Sequence, residues 1–247
     1  MVFSSLPFLF LFLTVVLLVS HLLPFKFRNF FLLLANLVFY AYGEPVYVLI
    51  MIASILVNFF AGVLMDKQPT QSRRRAVLVV GIVLNLAALG VFKYAGLFVD
   101  TLRGIPAFSS LPEVNIALPI GISFYTFQTM SYTIDVYRGE AKAQKNILHF
   151  GAYVTLFPQL IAGPIVRYQT VADELEHRDC AADLFADGVK RFACGIGKKV
   201  LLANNIGLLW EAASAQAAPT VLTAWLGVIA YGFQIYFDFS GYSDMAI

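Results

Sequence analysis

The sequence predicts an all-α, polytopic membrane helix bundle with a re-entrant segment and cytoplasmic amphipathic helices. Three observations lead to this prediction. Hydrophobic residues fill 60% of the 247 positions and charged residues only 13%, which is about half the charged share of a soluble domain. Apolar runs long enough to cross a bilayer recur along the chain. The connections between these runs alternate between richer and poorer Lys and Arg content.

Five apolar segments in the first 134 residues predict membrane spans. They cover residues 6–23, 29–43, 46–65, 76–92 and 116–134. The first lacks a basic n-region and a small-residue cleavage site, so we interpret it as a retained span rather than a signal peptide. The connection 93–115 is of mixed composition with two prolines, and segments 201–218 and 221–236 add later apolar candidates.

The distribution of Lys and Arg predicts the orientation of these spans. The loops at 24–28, 66–75 and 135–146 hold two, four and three such residues, whereas those at 43–45 and 93–115 hold none and two. Loops rich in Lys and Arg stay on the cytoplasmic side. The N-terminus is therefore predicted to lie outside the cytoplasm.

The segment 148–166 is apolar but interrupted by Pro158, Gly163 and Pro164. Both of its flanks are basic, so a full crossing would place one basic flank outside. A re-entrant hairpin bent at Pro158 or at Gly163-Pro164 keeps both flanks in the cytoplasm; the alternative is an ordinary span with a proline kink. Because non-helical backbone at membrane depth persists only inside protein or beside water, the segment is predicted to line a cavity.

Residues 167–199 have a nearly soluble composition within what we predict to be a single membrane domain covering residues 1–247. Asp173 is the predicted N-cap of a helix that runs through Glu176. A second helix, at about 181–193, has an apolar face opposite its charged residues. Both helices are predicted to lie amphipathically on the cytoplasmic surface.

The stretch 234–247 continues the last apolar run yet carries Asp238 and Asp244. A carboxylate facing lipid at the bilayer centre costs about 2.5–3.5 kcal/mol, so two cost roughly 5–7 kcal/mol. At helical spacing the two acids do not share one stripe, so either the helix breaks at Gly241 or protein surrounds it. Both alternatives predict the wall of a polar cavity, lined by Asp238, Ser240, Tyr242, Ser243 and Asp244.

Other kinds of site find little support. The two cysteines and the three histidines, His21, His149 and His177, form no set with metal-ligand spacing, so no metal is expected. A basic stripe with interleaved aromatic residues is missing, which argues against nucleic-acid binding. From the residues alone, a membrane enzyme and a non-enzymatic membrane channel or transporter explain the intramembrane acids equally well.

Five motifs taken together resemble the membrane-bound O-acyltransferase family, most closely its bacterial polysaccharide branch. They are Phe92-Lys93-Tyr94, Leu118-Pro-Ile-Gly-Ile-Ser-Phe-Tyr125, Tyr132-Thr-Ile-Asp-Val-Tyr-Arg-Gly139, Phe157-Pro-Gln-Leu-Ile-Ala-Gly-Pro164 and Tyr236-Phe-Asp-Phe-Ser-Gly-Tyr-Ser-Asp-Met-Ala246. The resemblance runs in order through essentially the whole chain. Each motif alone would be weak, but the set is specific.

The resemblance implies an enzyme of the bacterial inner membrane that transfers an acetyl or other acyl group from a cytoplasmic donor such as acetyl-CoA, with no bound cofactor. The group would cross the membrane toward an extracytoplasmic polysaccharide such as alginate, through periplasmic or surface partner proteins. Gln159 and Arg167 would lie at the cytoplasmic mouth of the path. D-alanyl transfer to teichoic acid by the same fold is the alternative within the family.

The family's catalytic histidine lies in a Trp-His-Gly type motif that none of the three histidines matches. We therefore assign no catalytic residue and expect that histidine beyond Ile247. On this expectation the chain is the N-terminal half of a longer enzyme, and residues 1–247 alone are expected to be inactive.

Overall fold

The computed structural model of the protein describes residues 4–114, 116–160, 163, 166–177 and 181–246. The all-α prediction is confirmed: 81% of the chain is helical, and the described residues contain no strand. Three helices are long and apolar enough to cross a membrane, namely Val48–Lys67, Gln71–Arg103 and Val221–Ala246.

Eleven helices follow one another along the described residues. They are α1 (Pro7–Leu22, π-helical over Pro7–Leu13), α2 (Phe25–Gly43), α3 (Val48–Lys67), α4 (Gln71–Arg103), α5 (Ile122–Arg138), α6 (Ile147–Thr155), α7 (Phe157–Leu160), α8 (Tyr168–Glu176), α9 (Ala182–Gly197, continued by a π-helical turn Lys198–Ala203), α10 (Asn204–Ser214) and α11 (Val221–Ala246). A 3-10 turn, Pro106–Phe108, lies between α4 and α5.

Several predicted boundaries were wrong for identifiable reasons. Helix α4 continues eleven residues past the predicted end at residue 92, because no proline or capping glycine stops it before Gly104 and Pro106. Helix α5 starts at Ile122 rather than at 116, since Pro119 and the left-handed Gly121 (φ 75°) precede it. The last helix runs through to Ala246 instead of ending at residue 236.

The stretch 167–199, predicted to be cytoplasmic, also differs in detail from its prediction. Helix α8 begins at Tyr168 with Arg167 at its N-cap, so the prediction of Asp173 as the cap was wrong. Asp173 lies inside the helix, where its carbonyl accepts a hydrogen bond from His177 N at 2.7 Å. The second helix is α9, which continues without a break into the π-helical turn and α10. A surface helix and an apolar segment predicted as separate are therefore one continuous helical rod.

The chain divides into two compact units. The larger comprises residues 19–161 and 165–178, and in it α3 packs against both α4 and α5 while α2 packs against α6. Its core is rich in aromatic residues, among them Tyr125, Tyr132, Phe150 and Tyr153, each at most 2% exposed. A pair of buried amides joins α3 to α4: Asn58 Nδ2 donates to Asn85 Oδ1 at 3.0 Å, and Asn85 Nδ2 donates back at 2.9 Å. In an apolar surrounding such a reciprocal pair fixes the register of two helices.

The two flanks of the predicted re-entrant segment meet in the larger unit. Gln144 Nε2, before the segment, donates to Tyr168 Oη, after it, at 2.9 Å. Between them the described chain reaches Leu160, whose carbonyl lies against Gly121 at the opposite end of α5. Residues 147–160 therefore run along α5 towards its start, and Tyr168 lies back beside Gln144.

The helix in this segment is interrupted at Leu156, two residues before the predicted Pro158. Pro158 instead occupies the first turn of α7, where a missing N–H costs nothing. The backbone donor freed at Phe157 is taken by Asn36 Oδ1 at 3.3 Å, and Asn36 Nδ2 donates to Thr155 Oγ1 at 3.4 Å. A fully buried amide on α2 thus forms hydrogen bonds on both sides of the helix break. The other predicted bend, at Pro164, lies outside the described residues.

The smaller unit comprises residues 1–18, 162–164 and 179–247. In it α11 packs against α10, α9 and the π-helical turn. Gly207 on α10 makes room for Gln234, and Gly227 on α11 faces Trp210 and Ala213. Within a bilayer the hydrophobic effect does not drive helices together, so they associate by close packing at small residues.

Candidate functional site

The predicted polar stretch of α11 is built on a contact between two glycines. A Cβ added to Gly241 would lie 2.8 Å from the carbonyl oxygen of Gly195 and 3.1 Å from Lys199 N. One added to Gly195 would lie 2.6 Å from the carbonyl oxygen of Gly241. The backbone of α9 therefore crosses α11 without intervening side chains, which only glycine allows.

Two lysines straddle α11 at this crossing. Lys198 and Lys199 follow Gly195 by one turn, and their side chains leave the crossing on different sides of Gly241. Lys198 Nζ donates to Asp244 Oδ2 at 2.5 Å, and Lys199 Nζ donates to Asp238 Oδ1. The acids stand three residues before and three residues after Gly241, so each meets the lysine on its own side. We call this arrangement the lysine clamp: Gly241, Lys198, Lys199, Asp238 and Asp244.

Two neighbours extend the clamp. Ser240 Oγ accepts a second hydrogen bond from Lys198 Nζ at 3.1 Å, and Arg191 Nε lies 3.5 Å from Asp244 Oδ1. The hydrogen bond to Asp244 raises the pKa of Lys198, so the ammonium form is favoured. Three cations therefore surround two carboxylates and leave one positive charge in excess.

The sequence left two alternatives for the acids on α11: a helix break at Gly241, or protein around the helix. The lysine clamp supports the second. Helix α11 does not break at Gly241; instead, protein approaches its acidic positions from α9 and the π-helical turn. The Asp244 side chain keeps 19% of its surface exposed and Asp238 keeps 49%. Because each carboxylate has a cation in contact, neither has to be desolvated alone.

The remaining residues predicted on α11 take different positions. Tyr242 is 9% exposed and belongs to the buried side of the helix. Ser243 is half-buried, and its side chain makes no hydrogen bond to any other described residue. The structure thus gathers Asp238, Ser240 and Asp244 around the lysines, and it leaves Ser243 outside that set.

Gln159 and Arg167 lie in the larger unit and are described there alone. Gln159 lines a cavity of about 60 Å³ together with Tyr153 of α6 and Glu174 of α8. Its Oε1 atom is buried and has no hydrogen-bond partner among the described residues. Arg167 is exposed at the start of α8, and its carbonyl oxygen accepts from Thr170 Oγ1 at 2.7 Å. A volume of 60 Å³ is about that of two water molecules, so this cavity is too small for an acyl group and its carrier.

The sequence analysis did not identify the cationic half of the clamp. There Lys198, Lys199 and Arg191 belong to the basic flank after segment 148–166, and Arg191 also to the charged face of the predicted helix at about 181–193. One signal was available: a Lys-Lys pair one turn after Gly195, and two acids spaced evenly about Gly241. Recognising it required knowing that these two glycines meet, and they lie 46 positions apart in the chain.

The chain is similar to proteins that are named as acyltransferases. The probable alginate O-acetylase AlgI of Pseudomonas aeruginosa is 45% identical over 251 residues, which cover all of this chain and 48% of that protein. The peptidoglycan O-acetyltransferase of Helicobacter pylori is 30% identical over 254 residues, covering 90% of this chain and 47% of that protein. The teichoic acid D-alanyltransferase of Lacticaseibacillus rhamnosus is 26% identical over 70% of this chain and 42% of that protein.

No protein-family profile matches the chain. The chain spans about half the length of the curated relatives it matches. The similarity to the alginate O-acetylase nevertheless extends over every residue of this chain, in agreement with the order of the five motifs. These similarities are consistent with a family of membrane-bound O-acyltransferases, and the apolar helices agree with a membrane protein.

Proposed function

We propose that the protein takes part in O-acetylation of an extracytoplasmic polysaccharide such as alginate, with acetyl-CoA or a similar acyl donor used on the cytoplasmic side. The observation that carries this proposal is 45% identity over the whole chain to an alginate O-acetylase. The protein would lie in the bacterial inner membrane as a multi-pass protein with its N-terminus outside the cytoplasm. Periplasmic or surface partner proteins would receive the acyl group.

Within this function we assign the polar positions of α11 to the wall of the acyl path. Its members would be Asp238, Ser240, Tyr242, Ser243 and Asp244. The support is the lysine clamp, where one positive charge in excess is held beside hydroxyl groups on a helix otherwise suited to lipid. An ammonium group and a serine hydroxyl can orient a donor that carries a carbonyl and phosphates.

Gln159 and Arg167 are proposed to serve the cytoplasmic end of the path. Arg167 is exposed and lies next to the returning end of the re-entrant segment. A guanidinium group there suits the phosphates of an acyl-CoA. The unpaired carbonyl oxygen of Gln159 marks a second polar position on the same segment.

The enzymatic part of the proposal is tested by gene deletion in the producing bacterium. The acetyl content of the isolated exopolysaccharide would be measured by proton NMR, with peptidoglycan and teichoic acid analysed from the same cells. Loss of acetyl groups from the exopolysaccharide alone, restored by the wild-type gene, is the expected result. An unchanged exopolysaccharide with loss of peptidoglycan O-acetyl or of D-alanyl esters would refute the proposed acceptor.

The assignment of the path is tested separately by thiol accessibility. In a background with Cys180 and Cys194 replaced by serine, Ser243→Cys is exposed to a charged, membrane-impermeant thiol reagent. Val228→Cys, at a position on the same helix that is 60% exposed, serves as the matched control. We expect Ser243→Cys to react and Val228→Cys to stay unmodified, since only a hydrated wall admits a charged reagent. Equal protection of both would remove α11 from the path.

A further inference from the structure

A groove runs along the outer surface of the larger unit between α3 and α4. Its volume is about 510 Å³, and every residue that lines it is apolar. Phe60 and Leu64 contribute the α3 wall, and Val80 and Leu84 contribute the α4 wall. All four side chains keep about half of their surface exposed, so the groove is open along its length.

The length of the groove matches one leaflet of a bilayer. On α4 its lining runs from Ala76 to Leu84, and on α3 from Leu64 to Leu56. Eight residues of α-helix advance about 12 Å. One half of the hydrocarbon core is about 15 Å deep. The groove therefore has the extent of a single lipid acyl chain.

One end of the groove is ringed by positive charge. Lys67 closes α3, and Arg73 and Arg75 lie in the first turn and a half of α4. All three are exposed, and their side chains form no ion pair or hydrogen bond within the described residues. Arg74 points elsewhere and donates to the carbonyl of Val136 at 3.1 Å. The exposed Asp66 is the one acid in this turn, so three free cations outnumber it.

From this combination we propose that the α3–α4 groove binds an anionic phospholipid. One acyl chain fills the groove, and the phosphate of the headgroup is bound by Lys67, Arg73 and Arg75. The apolar lining excludes a polar ligand, and the cations at a single end set the direction of the lipid. A zwitterionic lipid would gain much less from three unpaired cations. This site lies in the larger unit, apart from the lysine clamp, and it does not depend on the proposed function.

The lipid is tested by native mass spectrometry of the purified protein in detergent, titrated with equal amounts of phosphatidylglycerol and phosphatidylethanolamine. We expect one equivalent of phosphatidylglycerol to bind in preference. Val80→Phe fills the groove and is expected to lower that binding at least tenfold. Val83→Phe is the matched control, because it puts the same ring on the same helix at a site that is equally exposed but outside the groove.

Surface charge changes keep the proposal falsifiable if Val80→Phe misfolds. Lys67→Gln, Arg73→Gln and Arg75→Gln together should lower the preference for phosphatidylglycerol about 100-fold, since each cation near an anionic lipid is worth about fivefold. Lys26→Gln, Lys142→Gln and Lys145→Gln remove the same charge from other exposed positions and should leave it within a fewfold. Equal loss in both triple variants would overturn the site. So would equal binding of the two lipids by the wild type, or disulfide cross-linking of two copies through Val80→Cys.

Discussion

The two-glycine contact beneath the lysine clamp makes a quantitative prediction. In Gly241→Ala the new Cβ would lie 2.8 Å from the carbonyl oxygen of Gly195, so the backbones of α9 and α11 must separate. Overpacking of this kind costs about 1–3 kcal/mol. Lys198 and Lys199 would be carried away from their acids, which loosens two partly exposed ion pairs at about 0.2–1 kcal/mol each.

Gly232→Ala is the reference for this measurement. Gly232 lies on the same helix, and nothing lies within 4 Å of a Cβ built there. Both substitutions gain the same helix propensity, about 0.5–1 kcal/mol, so the gain cancels in the comparison. Gly241→Ala should therefore be less stable than Gly232→Ala by about 1.5–5 kcal/mol.

The assay is unfolding of the purified protein in mixed micelles by stepwise addition of SDS, followed by far-UV circular dichroism. The difference between the two alanine variants is the quantity of interest, because it does not depend on extrapolation to zero SDS. If the two variants unfold together, α9 does not cross α11 at Gly241, and the lysine clamp is wrong as described. Gly195→Ala should behave like Gly241→Ala, since its Cβ would meet the same backbone.

Three further predictions concern the larger unit. Gly62→Ala would place a Cβ 2.4 Å from Tyr132 Oη and should lower the free energy of unfolding by about 1–3 kcal/mol in the same assay. Adding Tyr132→Phe, which removes that oxygen, should recover part of the loss. If the effects of the two substitutions on stability simply add, the contact is contradicted. Asn85→Ala leaves the Asn58 amide without its reciprocal partner and should cost about 0.6–2 kcal/mol, whereas Asn58→Ala combined with it should cost little more. Gln144→Leu removes the hydrogen bond that joins the two ends of the re-entrant segment. Faster hydrogen exchange across residues 144–160, with α3 unchanged, is expected from that variant.

The all-α fold class could be predicted from composition and from the positions of apolar runs, prolines and basic residues. Apolar runs gave the position of most helices, and the basic flanks of segment 148–166 gave its return course, which the contact between Gln144 and Tyr168 now shows. The boundaries that failed did so where a helix had no signal to stop. Helix α4 passes through Lys93, just after its predicted end. A single lysine does not end a helix, because its long side chain can carry the charge to a polar surrounding.

The candidate site could be predicted only in part, for a different physical reason. The cost of burying Asp238 and Asp244 is a property of the residues themselves, so the sequence shows that partners must exist. The identity of those partners depends on contacts between segments about forty positions apart, and no local sequence pattern predicts such contacts. The same holds for Asn36, whose side-chain amide accepts a hydrogen bond from the helix break at Phe157, 121 positions later in the chain.

The polar contacts that join helices differ in part between the two units, and this difference supports where we propose the acyl path. In the larger unit, two of these contacts are made by neutral amides: Asn58 with Asn85, and Asn36 with the bend at Leu156. Neutral pairs fix geometry at small cost and attract no charged ligand. In the smaller unit the same task falls to ion pairs that stay partly exposed and keep one positive charge in excess. If packing were their only purpose, amides would serve α11 as well as they serve α3. Replacing Lys198 and Asp244 together by Gln and Asn should therefore preserve stability within about 1 kcal/mol while lowering acetyl transfer, and a variant that kept full transfer would reduce the clamp to a structural contact.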